Sequence, residues 1–313
     1  MRVIDGAELA RLTPYPLLAD ALRHRLRGVV SPPRSHLDPT GRGDALLLMP
    51  AWREGSVIGV KLVTVYPGNA AHGKPAVAAS YAVFDHADGR LLALLDGTVL
   101  TLRRTAATAA LAATLLARPD SGCLLVCGTG ALAPELARAH AALMPVLARI
   151  LIWGRNETKA RALAAALAAE GFPAEPVGDL DRALAQADIV AAATTATKPF
   201  LRAAAARPGI HLGLIGAFTP GMSEAEPALL ARARLFADDR EAVLAKGGEV
   251  VQAIAAGLIA PTAVEADLAG LAAAPPVRAV EDITVFKSVG FAALDLVAAE
   301  LALRGLPAAG ARA

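Results

Sequence analysis

Three cations in the first third of the chain stand among residues that do not suit them. Arg34 lies in VVSPPRSHLD, Lys61 in GVKLVTVYPGN and Arg104 in LTLRRTAATAAL, stretches that otherwise read as buried sheet or helix. A lysine flanked by Val60, Leu62 and Val63 costs several kcal/mol to bury unless an anion compensates it, and a carboxylate ligand would do that. The pattern leaves a second reading open, in which Lys61 snorkels from the exposed face of an alternating strand.

A different chemistry is written in LLVCGTGALA, which sets Gly128-x-Gly130-x-x-Ala133 between an apolar run and a helical pattern. The first glycine permits a tight turn, the second lets the backbone approach a pyrophosphate, and the small third residue allows helix-strand contact; phosphate then sits on free N–H groups at the helix start. Gly128, Thr129, Gly130 and Ala131 are the expected cofactor loop. NAD-binding units commonly place an acid about twenty residues further on to hold the ribose 2′-OH. Here RILIW ends in Gly154-Arg155-Asn156, and Glu157 comes one position too late. An acid would repel a 2′-phosphate whereas Arg155 would pair with it, so the expected cofactor is NADPH, with NADH possible.

These groups need two kinds of scaffold. ALLLMPAW, SVIGVKLVTVYPG and VAASYAVFDHADGRLLALLDG carry apolar runs or alternations with turn signals at Pro67-Gly68 and Asp88-Gly89, which predict an antiparallel sheet. Residues 7–28 predict a helical start broken by Pro14 and Pro16, and residues 98–117 an Ala/Leu-rich helix stopped near Pro119. From Gly122 onward short apolar runs alternate with helical patterns, the signature of βαβ units and a parallel sheet. The expected fold is therefore α/β: an N-terminal α+β domain over residues 1–118, a Rossmann-type domain over 119–290, and a last helix within 291–313 whose broad apolar face returns to the first domain. Leu268 to Pro276, LAGLAAAPP, reads as a low-complexity loop.

Composition excludes several classes. With 31 Lys+Arg against 29 Asp+Glu there is no basic stripe for nucleic acid. No basic n-region precedes an apolar segment at the start, and every longer apolar run is broken, so a soluble cytoplasmic protein without a membrane partner is expected. Cys123 and Cys127 share one strand too extended to bridge, and the six histidines lack metal-site spacing, so no metal is expected.

GVKLVTVYPGN, LLALLDGTVLTLRRTAATAALAA, VCGTGALA, IWGRNETKARALA, DIVAAATTATKP and DITVFKSVGFAALD together resemble the ornithine cyclodeaminase/mu-crystallin family, in order and spacing, over almost the whole chain. The resemblance implies a homodimer whose N-terminal domain binds substrate and makes the dimer, a Rossmann domain for NAD(H) or NADP(H), and amino acids or α-imino acids as substrates. It implies that Arg34, Lys61 and Arg104 hold a substrate carboxylate, with Lys61 nearest the reacting carbon. It also implies cofactor contacts from Thr105, Gly128, Thr129, Gly130, Arg155, Asn156 and Thr195, Ala196 and Thr197. Ser80 and Ser288 are counted with them, and Val289 and Gly290 are expected by the nicotinamide.

The cyclodeaminase branch of that family carries an Asp two residues before the proline of the loop that corresponds to GAFTPGMSE. This chain has Phe218 there and no ionisable side chain before Glu224. Phe can neither accept a proton nor balance an ammonium. The loop resembles instead that of Δ1-pyrroline-2-carboxylate reductases, which reduce a cyclic ketimine to L-proline and often its six-membered homologue to L-pipecolate. An NADPH-preferring imine reductase is thus expected, with Phe218 as an apolar wall for the ring and Lys61 as the catalytic residue. The proton source is left open among Lys61, a water and Ser80. Alternatives are ornithine cyclodeamination, alanine-type dehydrogenation, N-alkyl amino acid synthesis and, from another class, non-catalytic binding of NADPH and a small ligand.

Overall fold

Apolar alternation makes the first hundred residues a sheet, and the computed structural model, which describes residues 1–306 with the side chains of Ala70 and Ala71 excepted, shows seven strands there. They are β1 (Arg2–Ile4), β2 (Val29–Val30), β3 (Ser35–Leu37), β4 (Ala45–Arg53), β5 (Val57–Val65), β6 (Val77–Asp85) and β7 (Leu91–Asp96). Their order is β1-β7-β6-β5-β4-β2, with β3 also on β4. All pairs are antiparallel except β1 with β7. Lys61 stands opposite Met49 of β4 and Tyr81 of β6, so these three side chains share one face.

Prolines shape the helices beside this sheet. Helix α1 (Gly6–Leu12) stops before Pro14, which is the N-cap of α2 (Tyr15–Arg25), and Pro16 lies in the first turn of α2, where a missing N–H costs nothing. The last helix, Ala292–Arg304, packs on α2, β4 and β5. Its Glu300 accepts from Arg53 Nε at 2.8 Å and Ser56 Oγ at 3.1 Å, a buried anchor that fixes the helix along the sheet.

Helix α3 (Gly97–Leu116) is the one helix among the described residues long and apolar enough to cross a bilayer, yet 67% of that window is buried inside the protein. It also carries the boundary between two compact units, Met1–Thr105 with the chain from Phe291 on, and Ala106–Gly290. The division, expected after residue 118, falls instead between Thr105 and Ala106, inside a continuous helix where no Gly or Pro could mark it. The second half of α3 belongs to the second unit: Leu116 O accepts from Thr284 Oγ1 at 3.1 Å and Arg278 Nη1 at 2.8 Å.

The second unit is built on eight parallel strands: β8 (Cys123–Cys127), β9 (Arg149–Trp153), β10 (Ala174–Pro176), β11 (Ile189–Ala192), β12 (His211–Leu214), β13 (Arg234–Ala237), β14 (Val264–Asp267) and β15 (Thr284–Lys287). Between them run α4 (Leu132–Leu143), α5 (Glu157–Ala169), α6 (Leu180–Gln186), α7 (Pro227–Leu230), α8 (Arg240–Lys246), α9 (Gly248–Ala255) and α10 (Leu268–Ala273). Strands β8, β11, β12 and β15 are buried throughout, which is why they read as unbroken apolar runs. The order β10-β9-β8-β11-β12-β15-β13-β14 runs one way from β8 to β10 and the other way from β11, so the sheet has a switch point between β8 and β11. The stretch expected as a low-complexity loop, LAGLAAAPP, begins instead as α10, because Asp267 caps it by accepting from Gly270 N at 2.8 Å.

Candidate functional site

At the carboxyl ends of β8, β9 and β11 the second unit holds a cavity of about 580 Å³, lined by Gly128–Gly130, Trp153–Asn156, Lys159 and the segment 193–200. Gly128 has φ 129°, and a Cβ there would lie 2.7 Å from Ala193 O, so only glycine lets the loop turn under β11. A Cβ on Gly130 would meet nothing within 4 Å, which leaves that side of the loop open. Ala131, the N-cap of α4, makes no side-chain cap, and although Ala133 N donates to Gly130 O at 3.0 Å the positive end of the helix still faces the loop where an anion would sit. Volume, open glycine backbone and uncapped helix together fit a dinucleotide.

The loop after β9 is shaped for the same cavity. Gly154 carries no Cβ because one would sit 2.6 Å from Thr129 Cγ2, so the two loops touch. Arg155 follows, exposed on the cavity. Asn156 lines it too, but its side chain also caps α5, accepting from Lys159 N at 3.0 Å. Trp153 stacks on Phe200 with ring centroids 5.2 Å apart, both in the lining. Thr195, Ala196 and Thr197 lie in the opposite wall.

Glu224 explains how the acid-free loop after β12 is held. It is fully buried; Oε1 accepts from Thr194 N at 2.7 Å and Thr194 Oγ1 at 2.9 Å, and Oε2 from Gly216 N at 2.7 Å. One carboxylate therefore fastens the ends of two neighbouring strands. Burial pushes it up to about 7, with Lys287 opposing and Glu249 adding to the rise. Glu249 in turn accepts from Glu224 N at 2.8 Å and pairs with Lys287 Nζ at 2.8 Å. Phe218, on the loop so anchored, is 43% exposed and not part of the core.

The segment 288–290 is held from within by one carboxylate. Asp238 Oδ2 accepts from Ser288 Oγ at 2.8 Å, Val289 N at 3.0 Å and Gly290 N at 2.7 Å. These donors are spent inside the protein, and Ser288 is buried, so Ser288 is a support for the segment and offers no donor to a cofactor. Asp238 was not foreseen; its trace is the acid pair Asp238-Asp239 that ends the apolar run of β13.

In the first unit the cation cluster is real but has an internal counter-ion. Lys61 is 2% exposed and its Nζ bonds Asp295 Oδ2 at 2.7 Å, with Thr101 Oγ1 at 3.4 Å. Arg104 Nε donates to Asp295 Oδ1 at 2.8 Å. Asp295, 0% exposed on the last helix, is what compensates Lys61, so the burial of that lysine does not by itself require a ligand. One anion still faces two cations. Burial would raise Asp295, but Arg104 and Lys61 together hold it below the ordinary carboxylate value. Burial pushes Lys61 down to about 8, opposed by Asp295 and reinforced by Arg104 and Arg34. Arg34, half-buried between β2 and β3, is lowered by burial, and its charge is felt at Lys61.

One neighbour of this cluster needs correction as a proton source beside Lys61. Ser80 pairs with Leu62, whereas Lys61 pairs with Tyr81, so Ser80 leaves the sheet on the face opposite Lys61 and does not share its reacting partner. Thr105 follows Arg104 on α3 and is buried. Asp295 was missed in the sequence although GFAALDLVAAELALRG displays it beside Glu300: an acid inside an apolar helical pattern is a signal that a buried cation awaits it.

Residues 7–304 match the family model described as ornithine cyclodeaminase/mu-crystallin family. The chain is 44% identical over 270 residues, 85% of its length and 84% of the relative's, to a Δ1-pyrroline-2-carboxylate reductase of Paracoccus denitrificans. Among solved structures it is similar to the Δ1-pyrroline-2-carboxylate reductase of Thermococcus litoralis in complex with NADH and L-proline, at TM-score 0.91 and 26% identity, covering 97% of each chain. It is also similar to an archaeal alanine dehydrogenase dimer with bound NAD, at TM-score 0.90 and 26% identity, covering 97% of this chain and 95% of the other.

Proposed function

This chain belongs to the ornithine cyclodeaminase/mu-crystallin family, and we propose that within it the protein is a Δ1-pyrroline-2-carboxylate reductase, forming L-proline from the cyclic imine. The observation that carries this reading is the loop 217–223. It presents Phe218 to solvent, and the acid that follows, Glu224, is buried and committed to Thr194 and Gly216. An ornithine side-chain ammonium finds no counter-charge on this loop, whereas the methylenes of a small ring find an apolar surface.

The first unit supplies a seat for the carboxylate. With Nε held by Asp295, the terminal nitrogens of Arg104 are left for a bidentate carboxylate, and Lys61 adds a second positive charge. Asp295 fixes both cations in place before substrate arrives, so little reorganisation is needed on binding. A lysine poised at about 8 still carries its proton at neutral pH and can release it from Nζ toward the ring nitrogen. The cofactor, when bound, supplies a hydride to the imine carbon. Gly128, Thr129 and Gly130 would hold its pyrophosphate, and Arg155 its adenosine ribose. NADPH is the proposed cofactor because no carboxylate lines the cavity beside Arg155.

A homodimer is the proposed assembly. The face of the first sheet turned away from Lys61 carries Leu46, Leu48, Pro50, Val60 and Leu62, all at least partly exposed.

Purified protein should oxidise NADPH when Δ1-pyrroline-2-carboxylate is supplied and should release no ammonia from ornithine. Ornithine deamination without imine reduction would overturn the assignment, as would alanine oxidation as the dominant activity. Light scattering should give a mass twice that of the 31.9 kDa chain.

A further inference from the structure

Three cations, Arg155, Lys159 and Lys198, line the cavity of the second unit, and the lining contains no acid. The one acid in the first turn of α5, Glu157, is turned away: it pairs with Arg161 at 2.7 Å and lines a separate depression with Pro176 and Gly178. Lys159 leaves the same turn toward the cavity. Its backbone N–H is used by Asn156, but its ammonium has no hydrogen bond or ion pair among the described residues.

The neighbourhood indicates which part of a dinucleotide this charge would meet. Gly154 touches Thr129 of the glycine loop, so Arg155 starts where the pyrophosphate seat ends. Trp153 and Phe200 stack beside it and give the cavity a flat apolar wall suited to a base. A phosphate on the adenosine ribose carries more than one negative charge at neutral pH, and a single guanidinium leaves part of it unbalanced. Arginine gives a planar fork and lysine a compact point charge, so the two act together without competing for the same oxygens.

We propose that Lys159 is a second ligand, beside Arg155, for the 2′-phosphate of the cofactor, and that the pair sets the choice of NADPH over NADH. This rests on the NADPH reading given above. The direct probe is calorimetric titration with 2′,5′-ADP and 5′-AMP, which differ only in the 2′-phosphate, on the wild-type protein, Lys159→Gln, Lys159→Arg and, as a charge control elsewhere on the unit, Arg182→Gln. The wild type should bind 2′,5′-ADP more tightly. Lys159→Gln should lose about tenfold of that preference, the worth of one charge-assisted bond, with 5′-AMP binding unchanged. Lys159→Arg should keep most of the preference and Arg182→Gln all of it. The kcat/KM ratio of NADPH to NADH should fall in parallel. If wild-type protein binds both nucleotides equally, the NADPH reading fails and this inference with it. If the wild type discriminates and Lys159→Gln discriminates equally, or loses both ligands alike, Lys159 is not a phosphate ligand while the NADPH reading stands.

Discussion

Asp295→Asn should move the ionisation of a lysine on another element. Asp295 is the carboxylate in contact with both Lys61 and Arg104, at 2.7 and 2.8 Å, and all three are buried. Unit charges about 4 Å apart attract by about 4 kcal/mol at an effective dielectric constant near 20. At about 1.4 kcal/mol per pKa unit, losing that attraction can lower Lys61 by up to about three units. Starting from about 8, a fall of about one unit already leaves half of Lys61 neutral at pH 7. The sign follows from the cation: the seat is fully charged below the pKa of Lys61 and loses charge as pH rises through it. Pyrrole-2-carboxylate, a flat carboxylate of constant charge, is a suitable probe. Its binding to wild-type protein should weaken as pH rises through about 8, and in Asp295→Asn that midpoint should lie at about 7 or lower. The substitution should also cost about 3–5 kcal/mol of stability, because two buried cations lose their shared partner. An Asp295→Asn protein whose midpoint stays near 8 would refute the coupling, whatever its stability.

Lys61→Met should retain nucleotide binding while kcat/KM for the imine falls by about 10²–10³ or more; turnover near the wild-type level would remove Lys61 from the chemistry, and a wild-type protein that binds nucleotide without turning over the imine would revive a purely binding role. Gly128→Ala should abolish cofactor binding and lower stability by more than about 2 kcal/mol, since its Cβ has no room against Ala193 O and φ 129° strains any side chain; titration with NADPH and a melting curve test both parts. Tyr81→Phe should be neutral or stabilise by about 1 kcal/mol, because the buried Tyr81 hydroxyl has no hydrogen-bond partner among the described residues; a loss of similar size in chemical denaturation would mean that the hydroxyl is satisfied after all.

Local chemistry is what the sequence made legible. The glycine loop, the strand-turn-helix rhythm after Gly122, the proline break between α1 and α2, and the cations at 34, 61 and 104 all announce themselves through residues whose physical demands are confined to a few neighbours. The loop after β12 belongs here too: that Phe218 stands in place of an acid is visible without coordinates. Partners far apart in sequence were decided only by tertiary packing. Asp295 lies more than two hundred residues from Lys61 and meets it because the last helix lies along β5. Glu224 is an acid in the sequence, but only the adjacency of β11 and β12 turns it into a fastener for Thr194 and Gly216. Ser288 looks available until Asp238 is seen to accept its hydrogen bond. The unit boundary inside α3 is invisible for the same reason, since an unbroken helix gives no local sign of which neighbours each half will choose. A residue's type states what its buried charge or polar group requires; only the folded chain supplies the partner, because burial raises the cost of an unpaired group until the packing must provide one.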